Sequence, residues 1–405
     1  MGCHTKLTVF LNNATSRKLF TRDIILNVFA SGLPVLVLQF FVLPSIAAKN
    51  GEVAYGLIVT VLGIITIGSE TIGNSLNNTR LLQQVYYEKR VIEGDFNRLL
   101  LYGCVVDVFV VSIGFVYCHI TLSDFPLLIL VALLVLMRMY YIVAFRIKLD
   151  YTGILINGLL LSVGYAVGYY LYIYLHKWEL IYITANVAAL AHIFLSTDIF
   201  YESLTKTVLY RDTWRRMIGI YGADVTKTCM TYADRLIIFP VLGAIPVANY
   251  YAASIMGKMI SLLVTPVGSV LLSYIVKKDK LNKLMLAKAG ILSLAMAGPC
   301  YITILYLGRI MLAILYPSMN DTAKHLLPWI SVAAVLIAFS SLLQPVALRY
   351  KGVRFQLYVN VCCLLLYLVV SFVGIKLSGI VGFCISYCVV LLMRLILYTI
   401  GLLKA

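Results

Sequence analysis

Arg138, Lys227, Arg235, Lys258 and Arg394 each fall inside a long apolar run, and so do Asp107, Asp224 and Asp234. In hydrocarbon such a charge costs about 2.5–3.5 kcal/mol on insertion scales, so each one retained calls for a partner, a watery cavity or a charged ligand. The run 218–241 is the richest, with Asp224, Lys227, Thr231, Asp234 and Arg235. At helical spacing these five fall within an arc of about 100°. Run 247–275 carries Ser254, Lys258, Ser261 and Thr265, followed by Pro266. Lys258 has no acidic residue in its own run, so it needs a partner on another helix, a cavity or a bound anion. Guanidinium and ammonium groups are the usual ligands of phosphate. The chemistry these residues suit is non-covalent capture of an anion. The alternative for run 218–241 is a self-neutralising network that locks helices together.

Further polar positions are consistent with a cavity wall. Asn27, Ser31 and Pro34 lie in run 24–47, and Thr60, Glu70, Asn74 and Asn78 share a stripe in or just beyond run 53–75. The proline predicts a kink. Asp107 and Arg138 lie in successive runs and are expected to pair with each other. No P-loop occurs, no His/carboxylate cluster has metal-ligand spacing, and no Ser-His-Asp arrangement stands out. The expectation is a protein with no cofactor, no metal and no catalytic residue.

The elements that position these groups follow from composition. The chain has 405 residues, 62% of them hydrophobic and only 12% charged, against about 25% charged in ordinary soluble domains. Its mean hydropathy is +0.95. A soluble enzyme, a disordered chain and a disulfide scaffold are excluded on these numbers. The nine cysteines are scattered without a Cys-x-x-Cys pair, as small packing residues are.

Runs of about 20 apolar residues predict an all-α polytopic protein. Twelve spans are expected, near 24–47, 53–75, 99–118, 122–145, 153–175, 180–203, 218–241, 247–275, 286–307, 326–346, 355–375 and 379–402. The net charge is +16, and 23 of the 33 Lys+Arg fall in the tails and alternate gaps on one side. That asymmetry predicts both termini in the cytoplasm, and it favours a membrane protein over a nucleic-acid binder. The outer gaps are short, which argues against a membrane-embedded polymerase or glycosyltransferase.

The halves carry a related block. Val53-Ala54-Tyr55-Gly56 precedes Gly63, and Val247-Ala248-Asn249-Tyr250 precedes Gly257 at the same distance. The expected organisation is an N-terminal six-helix lobe over 1–203, a cytoplasmic loop over 204–217 and a C-terminal six-helix lobe over 218–405. Duplicated halves are the usual build of secondary transporters.

The runs Tyr232-Ala233-Asp234-Arg235-Leu236-Ile237-Ile238, Val241-Leu242-Gly243 and Val247-Ala248-Asn249-Tyr250-Tyr251-Ala252-Ala253 make the chain recognisable. With Pro266-Val267-Gly268-Ser269-Val270-Leu271 and the Lys-rich stretch after it, they resemble bacterial polysaccharide flippases of the Wzx type. These belong to the multidrug/oligosaccharidyl-lipid/polysaccharide exporter superfamily. The resemblance implies transport of an undecaprenyl-pyrophosphate-linked oligosaccharide, such as an O-antigen repeat unit, to the outer leaflet of the bacterial inner membrane. It also implies alternating access between two lobes, coupling to H+ or Na+, and a polysaccharide polymerase and chain-length regulator as partners beside the membrane lipids. The substrate's pyrophosphate would meet Lys227, Arg235, Lys258 and Arg138. Asp234, Asp224 and Asp107 would tune charge or carry the coupling ion, and Asn27, Glu70, Asn74, Ser254 and Ser261 would line the cavity. The rivals are a cation-coupled drug antiporter of the same superfamily, against which Lys258 speaks, and a major facilitator, whose Gly/Asp/Arg motif is absent from Ser75-Leu76-Asn77-Asn78-Thr79-Arg80.

Overall fold

The computed structural model describes residues 14–255, 257 and 283–403, and every regular element among them is helical. In chain order these are α1 (Ala14–Val37), α2 (Leu43–Ile65), α3 (Thr71–Arg90), α4 (Phe96–Tyr117) and α5 (Phe125–Tyr141). The short α6 (Val143–Ile147), α7 (Tyr151–Leu175), α8 (Glu179–Ser196) and α9 (Tyr210–Leu242) follow. The stretch 244–255 forms α10. Next come α11 (Lys283–Leu315), the single turn α12 (Asn320–Ala323) and α13 (Leu327–Leu403). Among the described residues seven helices are long and apolar enough to cross a membrane, or eight if the bent pair Pro317–Ala323 and Leu327–Ser341 forms one span.

Several expected spans run together as continuous helical backbone. A straight 77-residue helix would reach about 115 Å, far beyond the roughly 30 Å of a hydrocarbon core. Helix α13 avoids this by breaking at Gly352 and at Ser378–Gly379. Gly379 has φ +60°, a left-handed conformation that favours glycine. Outward from that turn, Gly374 meets Gly382, the Ser386 hydroxyl donates to Val370 O at 2.9 Å, and Phe355 lies against Gly401. This is the contact pattern of an antiparallel hairpin. Gly51 breaks α2 in the same manner, with φ +77°.

The kink expected at Pro34 takes a different form. Helix α1 continues through the proline and then widens into a π turn over Leu38–Val42. A second π turn, Thr66–Glu70, joins α2 to α3. Such turns absorb one extra residue per helical repeat and often mark functional positions. The span expected over 180–203 is shorter than predicted. Helix α8 stops at Ser196 because Thr197 is extended, and its hydroxyl returns to Ile193 O at 2.8 Å.

The chain divides into two compact units. The first comprises the chain up to Leu43, Gly68–Ile113 and Ile120–Tyr221. In it α7 packs between α1 and α8. A Cβ on Gly158 would lie 2.3 Å from Ala30 O, so the helices approach backbone to backbone, as membrane helices do at small residues. The Asn157 amide donates to Ala189 O at 2.7 Å, and the Thr184 hydroxyl to Gly164 O at 2.8 Å. At the basic-rich end of this unit, Arg80 forms a two-pronged ion pair with Glu202 and donates to the Tyr140 hydroxyl at 3.0 Å. Asp95 accepts from Thr207 N at 2.8 Å and from the Tyr87 hydroxyl at 2.7 Å. These bonds strap the start of segment 204–217 onto the first unit, and α9 begins inside that segment, at Tyr210.

The second unit comprises Pro44–Ile67, Gly114–His119 and the chain from Gly222. Here the part of α2 after Gly51 packs on α10. Tyr55 meets Tyr251 edge-on at 6.1 Å, and a Cβ on Gly56 would lie 2.0 Å from Ala244 O. The two copies of the repeated block therefore face each other. Their environments differ, since Val53 is exposed and Val247 is fully buried.

Candidate functional site

Helix α9 carries the polar face read from the sequence, and the structure divides that face in two. Arg235 faces the neighbouring helices. Its guanidinium donates from Nη1 to Val59 O at 2.8 Å on α2, and its Cζ lies over the ring of Tyr251, 4.5 Å from the centroid. A Cβ on Gly63 would come within 3.2 Å of Arg235 Cδ, so glycine makes room for this side chain. Asp234 is its counter-charge. Its Oδ1 accepts from Arg235 N at 2.8 Å and lies 3.9 Å from Arg235 Nε. Both residues are buried, at 6% and 4% exposure. Nearby, the Tyr55 and Tyr316 hydroxyls share a hydrogen bond at 2.8 Å. Arg235 is thus a pin between α9, α2 and α10.

On the other side of α9, Lys227, Thr231 and Asp234 open onto a cavity of about 290 Å³ within the second unit. Ser254 contributes from α10, Gly257 from just beyond it, Gln344 from the first segment of α13, and Asn360, Tyr367, Tyr387 and Arg394 from its hairpin. Arg394 donates from Nη2 to Asn360 Oδ1 at 3.3 Å, and Tyr398 donates to the same oxygen at 3.3 Å. Neither Lys227 nor Arg394 makes an ion pair among the described residues. Asp234 is the acidic residue on this wall, and Arg235 already offsets its charge. Among the described residues two cations at the cavity have no ion-pair partner.

The other predicted site residues are placed as follows. Ser254 is buried on the cavity wall and donates to Tyr251 O at 2.8 Å. Asp224 is half-buried on α9 and does not line the cavity. Lys258 and Ser261 lie outside the described residues, as do Thr265 and the run Pro266–Leu271. Arg138, Asp107, Asn27, Glu70 and Asn74 belong to the first unit. The expected Asp107–Arg138 pair does not form. Asp107, fully buried, takes both of its carboxylate contacts from the Ser69 hydroxyl, at 2.8 and 3.1 Å. Arg138 Nε donates instead to Asn186 Oδ1 at 2.7 Å. The π turn before Thr71 brings Ser69 to Asp107, and that local widening has no signature in hydropathy. Glu70 is half-buried, and the phenol of Tyr165 lies within electrostatic reach of both it and Arg138. Asn27 and Asn74 are exposed on α1 and α3.

Sequence reasoning noted Arg394 as a charge within a span but gave it no site role, and it passed over Asn360, Gln344 and the cavity tyrosines. The signal for Arg394 was available, because it is a charge in an apolar run with no acidic residue in that run. The carboxamides and tyrosines cost little in a span and do not stand out from composition.

A larger cavity, about 510 Å³, lies in the first unit and is lined by Arg80, Glu88, Glu93 and Glu202 among others. Its acidic excess and its engaged Arg80 make it a poor anion site.

No family model and no curated protein matches the sequence. Solved structures do match. The lipid II flippase MurJ in an inward closed conformation aligns with a TM-score of 0.71 at 12% identity, covering 94% of this chain and 88% of that one. An inward-facing multidrug resistance MATE family transporter of the MOP superfamily aligns at 0.63 and 10% identity, over 93% and 97%. A MATE protein in the bent conformation aligns at 0.57 and 11% identity, over 96% and 94%. With its several long apolar helices, the chain is a multi-pass membrane protein with the transporter fold that MATE proteins and MurJ share.

Proposed function

We propose that the chain is a flippase of the Wzx type. In this reading it moves an undecaprenyl-pyrophosphate-linked oligosaccharide, such as an O-antigen repeat unit, from the cytoplasmic to the outer leaflet of a bacterial inner membrane. The observation that carries the reading is the two cations without an ion pair among the described residues, Lys227 and Arg394, on a cavity wall whose carboxylate is already paired with Arg235. Such a wall suits a multiply charged anion.

In the proposed organisation, six-helix lobes over 1–203 and 218–405 flank the segment 204–217, with both termini cytoplasmic. Alternating access between the lobes carries the head group, and H+ or Na+ drives it. Arg235 acts as a positioning residue behind Asp234, and Asp107 or Asp234 carries the coupling ion. A cation-coupled drug antiporter is the second reading. The carboxylate and aromatic rings of the same cavity favour it, and the excess positive charge opposes it.

The test is the leaflet location of lipid-linked oligosaccharide in the native host after deletion of the gene. Single repeat units should accumulate on the cytoplasmic leaflet and clear when the intact gene is restored. Accumulation on the outer leaflet would place the defect after translocation and favour a polymerase. Altered drug sensitivity without accumulation would favour the antiporter.

A further inference from the structure

Cations and aromatic rings also gather on the outer surface of the first unit, where α4 and α9 begin. Along α4, Arg98, Tyr102, Val105, Phe109 and Ile113 fall on one stripe at helical spacing. Tyr102, Val105, Phe109 and Ile113 are exposed. In a multi-pass membrane protein such an outward apolar stripe meets acyl chains. Helix α4 has 22 residues. It is therefore about 33 Å long, and its ends reach the headgroups beside a hydrocarbon core of roughly 30 Å. Arg98, half-buried, lies in its first turn.

The start of α9 packs against this end. Tyr102 meets Trp214 edge-on at 6.4 Å, and Trp214 stacks on Tyr210 at 6.4 Å. Lys206 Nζ stands 4.7 Å from the centre of the Tyr210 ring, and Arg98 is within electrostatic reach of the same phenol. Arg211, Trp214, Arg215 and Ile218 are exposed. At helical spacing these four fall within an arc of about 100°. Thr213 and Met217 on the inward side are buried, and the Thr213 hydroxyl shares a hydrogen bond with that of Tyr87 at 2.8 Å. The fold thus fixes which face looks outward. Arg98, Lys206, Arg211 and Arg215 make no ion pair among the described residues. Asp212 lies outside the arc, and Asp95 turns inward to Thr207 and Tyr87.

Tryptophan and tyrosine beside an apolar stripe suit the membrane–water boundary. Cations at the same level suit anionic headgroups, each adding a few-fold to their local concentration. A soluble acidic partner would match the charge and leave the continuity of the rings with the α4 stripe unused. We propose that Arg98, Lys206, Arg211 and Arg215, with Tyr102 and Trp214, form a docking surface for anionic phospholipids of the surrounding bilayer. The proposal does not depend on what the chain transports.

The test reads the lipids around Trp214. The full chain carrying Trp178→Phe/Trp329→Phe keeps Trp214 as its one tryptophan. It is reconstituted in vesicles of phosphatidylcholine with a minority of phosphatidylglycerol, and one lipid at a time is brominated high on its acyl chains. At equal mole fraction, brominated phosphatidylglycerol should quench Trp214 more strongly, corresponding to a local enrichment of about threefold or more. Arg211→Gln/Arg215→Gln in that background should bring the enrichment close to one, and Asp212→Asn should not lower it. Added salt should weaken it, with phosphate acting no more strongly than chloride at matched ionic strength. Thermal unfolding controls for folding, and native mass spectrometry of the wild-type chain in the same lipid mixture gives an independent count of retained headgroups. Equal quenching by the two lipids, or equal retention by the wild-type chain, would overturn the proposal. So would enrichment that survives in the double arginine variant. A specific effect of phosphate would make this a soluble-anion site, and binding of polyglutamate without lipid selectivity would make it a protein-docking face; either result also overturns it.

Discussion

The two units keep charge among apolar helices by different means. In the first, Asp107 is held by a serine hydroxyl and Arg138 by an asparagine oxygen, so these two charges have neutral partners, while Arg80 pairs with Glu202. In the second, Asp234 and Arg235 offset each other, Arg394 donates to the Asn360 oxygen, and Lys227 and Arg394 both line a cavity without an ion pair among the described residues. A neutral partner satisfies a hydrogen bond but leaves the net charge in place. An ion pair cancels the charge, and whatever remains unpaired sets the sign of the cavity beside it. The first arrangement suits a carboxyl group that changes protonation, and the second suits capture of an anion.

The largest expected effect tests the pair. Arg235→Ala leaves the Asp234 carboxylate buried without a counter-charge, and should cost about 3–5 kcal/mol, read from thermal unfolding and yield. The double variant Asp234→Asn/Arg235→Ala should recover part of that loss. Wild-type stability in Arg235→Ala would remove the contrast between the units.

The next effect lies in the first unit. Ser69→Ala strips Asp107 of its donor and should destabilise by about 1–3 kcal/mol. Asp107→Asn should stay close to wild type, because the carboxamide needs no counter-charge. A double-mutant cycle between the two positions should be clearly non-additive. Additivity would mean that Asp107 is held by something other than Ser69.

Lys227→Ala and Arg394→Ala should change stability less. Lys227→Ala should stay within about 0.5 kcal/mol of wild type, and both should raise the cytoplasmic-leaflet pool of lipid-linked repeat units at normal protein levels. Full export by the double variant would detach the cavity cations from function.

The smallest effect sits outside the membrane-spanning helices. The Thr121 hydroxyl, at 2.5 Å, and then Lys177, at 3.1 Å, hold the Asp124 carboxyl below its ordinary range. A lowered pKa in the folded state contributes stability above the ordinary carboxylate value, and that contribution is lost as pH falls through the lowered value. Thr121→Val should therefore flatten the decline of the unfolding temperature below pH 4 more than Lys177→Ala does. Because the pair is exposed, added salt should erase the Lys177 part first.

Much of the helical architecture was legible because hydrophobic runs report it directly. The helical segments of α4, α5, α7 and the α13 hairpin fall close to the apolar runs. The π turns, the end of α8 at Thr197 and the start of α9 at Tyr210 were not legible. They depend on single hydroxyls and on Asp95, which ties segment 204–217 down from more than 100 positions away. In the site, spacing correctly put Lys227, Asp234 and Arg235 on one broad face of α9. It could not divide an arc of about 100° between a cavity and a helix contact, because that boundary is drawn by Val59, Gly63 and Tyr251 on other helices.

The sequence alone determined that this chain is a multi-pass membrane protein and which few charges must be accounted for. Those properties depend on composition and on the cost of charge in hydrocarbon, which each segment carries by itself. Only the tertiary structure decided which charges cancel. Pairing depends on distances of a few ångströms between segments far apart in the chain. It set Arg235 against Val59 and Tyr251, separated Asp107 from Arg138, and brought Arg394 to the cavity that Lys227 lines.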